Sequence, residues 1–127
     1  MYPEDIYFTE THEWLKVEGN TGIVGITSYA VEELGDIVGV ELPEVGAEFS
    51  KDDPMGVVES VKSVSDINAP VSGKILKINE ELENSPELMN EDPYGKGWFV
   101  VMEIEDESEL SELMNAEQYA SFVESEA

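Results

Sequence analysis

Short segments of alternating apolar and polar residues, each cut off by a turn signal, follow one another along most of this chain. "EWLKVE" ends in "GNTG" and resumes as "IVGIT"; "DIVGVEL" is stopped by Pro43; Pro54 precedes "GVVESV", which "KS" separates from "VSDI". "NAPVSG" leads into "KILKIN", and "WFVVMEI" comes last. Period-two alternation marks strands with one buried face, and glycine, proline and asparagine at these intervals mark the reversals between them. Each strand must cover its apolar face with a second layer, so many short strands joined by tight connections give an antiparallel sandwich or a flattened barrel. The rhythm predicts a mainly β fold with its core over residues 6–104.

Two places break the rhythm. "TSYAVEELG" reads as a short inserted helix: Thr27 can cap its start, Ala30, Val31 and Leu34 form an apolar face, and Gly35 suits the left-handed residue past its end. The tail, residues 107–124, reads as helical. "DESE" at 106 to 109 resembles a capping box with Leu110, Leu113 and Met114 behind it. "NAEQ" at 115 to 118 restarts a helix whose apolar face is Tyr119, Phe122 and Val123. In the long polar stretch before the last strand, Ser85-Pro86 predicts a helical start. Glycine and proline are scattered as punctuation with no pooled linker, so residues 1–127 read as a single domain.

Thirty acidic residues against six basic ones, all six of them lysine, give a formal net charge of -24. That balance argues against nucleic acid and against an anionic membrane surface, both of which need a basic footprint. It suits either a well-dispersed acidic protein or a high-salt interior. With no cysteine there is no disulfide, thiolate nucleophile or sulfur-based metal site, and a single histidine, His12, makes a zinc centre unattainable without several carboxylates. No stretch reaches membrane-spanning length, and "MYPEDIYFTE" lacks an apolar targeting core, so the expected setting is the cytoplasm. His12 is expected to orient local groups or pack against Trp14 rather than act as a base.

Lys62 is the residue that calls for an explanation. In "VVESVKSVSDI" the flanks alternate, which predicts a hairpin with "KS" as its two-residue turn and the lysine at its tip. Three readings compete. A lysine on a loop is most often solvated surface. A Schiff-base lysine needs a desolvated pocket or a cationic neighbour, and Glu59 and Asp66 nearby offer the reverse. An attachment point needs an ε-amine that an enzyme can reach and tell from other lysines, which an exposed hairpin tip provides.

"ESVKSVSDI" resembles the lipoyl-attachment hairpin of the glycine cleavage system H protein family. "THEWLKVEG", "LGDIVGVELPEVG", "APVSGKI", "NSPELMN", "PYGKGW" and "ESELSELMNAEQY" resemble the same family in the same order, over nearly all of the chain. The resemblance implies a hybrid barrel-sandwich of two antiparallel sheets, like lipoyl and biotinyl carriers, with a short inserted helix and a helical C-terminus. It implies a carrier and not an enzyme, with lipoate joined by an amide to Lys62. The implied task is to take an aminomethyl group from a pyridoxal-phosphate-dependent glycine decarboxylase to a tetrahydrofolate-dependent aminomethyltransferase, then present the dithiol to dihydrolipoamide dehydrogenase. A lipoate ligase or lipoyltransferase would load it.

The resemblance also places Glu13 and Asp66, with Thr11 as a hydrogen-bond partner, at a cleft that shelters the loaded arm. Glu33 stands there where some members carry histidine, and Glu59 is a candidate for recognition by the loading enzyme. The absence of cysteine fits, since a thiolate would exchange with a dithiolane. Alternatives are an H-like protein that relays lipoyl groups to other enzymes, or a biotin carrier. Biotinyl hairpins usually flank the lysine with methionine, and here Val61 and Ser63 stand instead.

Overall fold

The computed structural model describes residues 2–126, and nine strands dominate it. β1 (Tyr7–Phe8), β2 (Glu13–Glu18), β3 (Thr21–Ile26), β9 (Val100–Ile104), β8 (Gly73–Ile78) and β5 (Glu48–Phe49) form a six-stranded sheet in that spatial order. β4 (Ile37–Glu41), β6 (Pro54–Ser60) and β7 (Val64–Asn68) form a three-stranded sheet. Every pairing is antiparallel. Four helical segments decorate the sheets: α1 (Ser28–Leu34), α2 (Glu81–Asn84), α3 (Leu88–Glu91) and α4 (Ala116–Glu126). A 3-10 turn at Glu107–Glu112 precedes α4. The architecture is mainly β, as the strand rhythm predicted, and it is the two-sheet hybrid with helical additions that the family resemblance implied.

Leu15, Val24, Ile75, Met102, Phe99 and Val58 are buried in the main core that both sheets supply. Burying a side chain of this size is worth about 1.5–3 kcal/mol relative to exposure. A second cluster of Ile6, Phe8, Trp14 and Tyr119 ties the N-terminal segment and β2 to α4. Within it the Phe8 and Tyr119 rings stack at 4.6 Å. Trp14 lies opposite Gly25 in the β2–β3 register, and a Cβ on Gly25 would come within 2.7 Å of the indole. The glycine is the groove that lets the largest side chain lie flat on the sheet.

Local chemistry explains where the helical segments begin and end. The Thr27 side chain accepts the Ala30 N–H, and Gly35 at φ 82 ends α1 while donating its N–H to the Val31 carbonyl. Asn115 and Gln118 cap each other: the Asn115 N–H donates to Gln118 Oε1 at 2.9 Å and the Gln118 N–H to Asn115 Oδ1 at 2.8 Å. The "DESE" segment behaves differently from a capping box. Asp106 does cap, accepting the Ser108 N–H, but the helix it opens is 3-10. Glu109 turns away to accept both the N–H and the hydroxyl of Ser72, at 2.7 and 2.9 Å. A tertiary partner with two donors outbids the local backbone.

Ser85-Pro86 is a second departure from expectation. α2 ends at Asn84 and α3 opens at Leu88, with Pro86 in the link between them. Pro86 cannot donate an N–H but its carbonyl accepts the N–H of Met89, so it shapes the turn into α3 without being the first helical residue. No helix among the described residues is long and apolar enough to cross a membrane.

Candidate functional site

Lys62 stands at the tip of the β6–β7 hairpin and is exposed. The two central residues of the turn are Val61 and Lys62, one position earlier than the "KS" suggested by the sequence. Ser60 and Ser63 close the turn: the Ser60 N–H donates to the Ser63 carbonyl at 2.8 Å. On the return side a side chain substitutes for backbone. Ser60 Oγ accepts the Ser63 N–H at 3.1 Å and the Lys62 N–H at 3.3 Å, and lies 3.3 Å from the Ser63 carbonyl as donor. Neither Val61 nor Lys62 has a positive φ. Two-residue hairpins usually require left-handed central residues; this one avoids the need through the serine hydroxyl. A serine just before a reversal is the sequence signal that could have placed the turn correctly.

The tip rests on the segment that ends α1. The Val61 N–H donates to the Asp36 carbonyl at 3.1 Å, and a Cβ on Gly35 would lie 3.7 Å from Lys62 Cε. The backbone of the turn is thus fixed while the lysine side chain is exposed. Among the described residues no carboxylate lies within ion-pairing distance of the Lys62 ammonium. An exposed, uncommitted amine on an anchored turn fits amide attachment of an acyl cofactor.

A cleft of about 260 Å³ opens beside α1, next to Leu34 and hence next to the lysine stem at Gly35. Thr11, His12, Tyr29, Glu33, Ser65 and Glu126 line it. Two of the four residues expected at an arm cleft, Thr11 and Glu33, therefore face it. Glu13 lies behind that wall. Its side chain is almost wholly buried, with Oε1 accepting the hydroxyls of Thr9 and Thr11 at 2.6 and 2.5 Å, and Oε2 accepting the Asn68 N–H at 3.0 Å. Burial pushes its carboxyl above the usual glutamate range, against the lowering effect of those bonds.

Asp66 does not line the cleft. It follows Ser65, which does, and strand alternation sends its side chain to the opposite face. There it shares a cross-strand row with Val57 and Glu41, next to the row of Gly39, Glu59 and Val64. Glu59 is exposed and lies along Gly39, its Oε1 3.1 Å from where a Cβ would stand.

His12, Tyr29, Ser65 and Glu126 also line the cleft, although the sequence motifs placed none of them there. His12 adopts φ 74 and packs on Tyr29, with ring centroids 4.8 Å apart, rather than on Trp14. Its Nδ1 is 2.7 Å from the Tyr119 hydroxyl and its Nε2 is 3.2 Å from Glu126 Oε1. The same Tyr119 hydroxyl is 2.7 Å from Thr27 Oγ1. Burial raises the Tyr119 phenol well above the tyrosine range, so it stays protonated as a structural hub. That hub joins residues more than ninety positions apart, which no local pattern could reveal.

The glycine cleavage H-protein family model matches residues 6–126. A glycine cleavage system H protein from Carboxydothermus hydrogenoformans is 56% identical over 126 residues, covering 99% of this chain and 97% of the relative. The namesake from Staphylococcus saprophyticus is 59% identical, covering 95% and 96%. The crystal structure of a glycine cleavage system H protein from Mycobacterium marinum superposes with a TM-score of 0.87 at 41% identity, covering 94% of this chain and 97% of that one. Near-complete mutual coverage, in sequence and in fold, means that this chain belongs to the glycine cleavage H-protein family, the carriers that bear covalently attached lipoate.

Proposed function

We propose that Lys62 is the attachment residue, that a lipoate ligase or lipoyltransferase acylates it, and that the loaded chain serves three enzymes in the cytoplasm. These are glycine decarboxylase, aminomethyltransferase and dihydrolipoamide dehydrogenase. The observation that carries the assignment is the exposed amine of Lys62, without a carboxylate partner among the described residues, on a turn whose backbone is tied down at Ser60 and Asp36. Once attached, the group supplies a dithiolane that can accept and release a one-carbon amine fragment.

The chain's own residues supply position and shelter. Lys62 Cε lies 3.7 Å from where a Cβ on Gly35 would stand, and the preceding residue, Leu34, lines the cleft, so an extended arm can fold back into it. Glu33 and Glu126 present carboxylates there, and a carboxylate holds an ammonium by charge-assisted hydrogen bonds. Glu13 acts one step removed: it takes the Thr11 hydroxyl proton as acceptor and so fixes which way that hydroxyl points. Asp66, beside Ser65 on the other face, adds negative potential near the mouth. Glu59, exposed three residues before the lysine, is available to the loading enzyme.

Intact-mass analysis of the protein incubated with lipoate, ATP and a lipoate ligase tests the assignment. One lipoyl adduct is expected, and Lys62→Ala should abolish it. An adduct that persists in that variant and maps to Lys51, Lys74 or Lys77 would overturn it.

A further inference from the structure

Asn90 is a half-buried polar residue on α3, outside both the hairpin and the cleft lining. An amide held away from water is costly unless both ends find partners. Both do, and on one short segment. Asn90 Oδ1 accepts the Ile37 N–H at 2.9 Å and Asn90 Nδ2 donates to the Gly35 carbonyl at 2.9 Å. The residue between those two contacts is Asp36, whose carbonyl accepts the Val61 N–H.

From this we infer that Asn90 is a positioning residue for the acylation of Lys62. The inference rests on the reading of Lys62 as the acylated lysine. Gly35, at φ 82 and ψ -152, occupies a region that glycine enters freely and leaves freely. A glycine joint is a poor foundation for a docking point unless something outside it holds it. Val31 holds the N-terminal side of the joint through the Gly35 N–H, Asn90 brackets Asp36 on its C-terminal side, Asp36 passes the constraint to Val61, and a Cβ on Gly35 would lie 3.7 Å from Lys62 Cε. The path from α3 to the reactive side chain is continuous and uses three hydrogen bonds. An enzyme that acylates this amine must meet it in one place, and misplacement by about 1 Å can cost as much as about 10²-fold in rate.

The test uses the full chain with Asn90→Ala and, in case that variant folds poorly, Asn90→Asp. The aspartate keeps an acceptor for Ile37 and loses the donor to Gly35. Three readouts are taken: kcat/KM for ligase-catalysed lipoylation, acylation of Lys62 by a small N-hydroxysuccinimide ester, and amide exchange at Val61 and at core residues Val24 and Met102. Expected for Asn90→Ala are a fall of about tenfold in kcat/KM and faster exchange at Val61 by about tenfold, the scale set by loss of a hydrogen bond. Ester acylation, which needs no docking, and core exchange should stay as in the wild type. Asn90→Asp, which turns a second acceptor toward the Gly35 carbonyl, should fall at least as far as Asn90→Ala.

Unchanged kcat/KM, or unchanged Val61 exchange, in both variants would overturn the inference. So would acceleration of Val24 and Met102 equal to that of Val61, which would mark Asn90 as a general stabiliser. Failure of the wild-type chain to take lipoate at Lys62 would sink the attachment reading instead, a result distinguishable from all of these.

Discussion

Oε2 of Glu13 accepts the backbone N–H of Asn68 at 3.0 Å, so a carboxylate rooted in the six-stranded sheet caps the open edge of the three-stranded one. The same carboxylate takes two threonine hydroxyls on its other oxygen. One nearly inaccessible acid thus links the two sheets by hydrogen bond, directly behind the cleft beside α1.

That acid gives a pH signature. Burial raises the folded-state pKa of Glu13 above the ordinary 4.5, outweighing the bonds from Thr11, Thr9 and Asn68. A carboxyl with a raised folded pKa binds its proton more tightly in the native state. Its contribution to stability is therefore full below 4.5 and is lost as pH rises through the folded value. Glu13→Gln does not titrate at this position. The stability advantage of wild type over Glu13→Gln should be larger at about pH 4 than at about pH 7, measured by urea unfolding. A gap that widens with pH would contradict this account of the site.

Tyr119→Phe should cost about 1–2 kcal/mol, because one hydroxyl serves both Thr27 and His12 and its loss leaves both short of a partner. The stacking on Phe8 remains, so the loss is polar. Thermal unfolding gives the magnitude. Amide exchange should localise the loosening to residues 9–13 and to the start of α1, the elements that wall the cleft. A variant as stable as the wild type would show that the hub carries no net energy.

Ser60→Ala should destabilise the chain by about 1–2 kcal/mol, since the buried hydroxyl takes two N–H groups of the turn. Lipoylation should slow along with it. Ser60→Thr, which keeps the hydroxyl, should retain more of both. Equal rates for alanine and threonine would show that the turn is set by backbone alone.

Charge supplies a fourth prediction. With a net charge of -24 on 127 residues, like-charge repulsion opposes the compact state. Raising sodium chloride from about 0.1 M to about 1 M shortens the screening length from about 10 Å to about 3 Å, so the melting temperature should rise. A melting temperature that falls or stays level over that range would mean that the repulsion is no stronger in the folded chain than in the unfolded one.

Much of the fold was legible because the period-two pattern is local. The residues of β2, β3 and β8, the Thr27 cap and the Gly35 terminus all announce themselves within a few positions. The errors arose where a distant partner took over. Glu109 belonged by spacing to its own helix start and by energy to Ser72, and Pro86 looked like a first helical residue but serves the bend before one. At the site, Thr11 and Glu33 were nameable from family motifs. Glu126 and His12 meet there only because α4 folds back across the first strands through Tyr119, a contact written in no short stretch of sequence.

The serine-closed turn at residues 60–63 has a wider implication for how such a carrier could arise. Because a neighbouring hydroxyl completes the reversal, the amino acid at the summit is spared any backbone demand and can be selected for reactivity alone. Geometry and cargo are thereby decoupled: the same scaffold could display a different chemical handle without rebuilding the loop that lifts it.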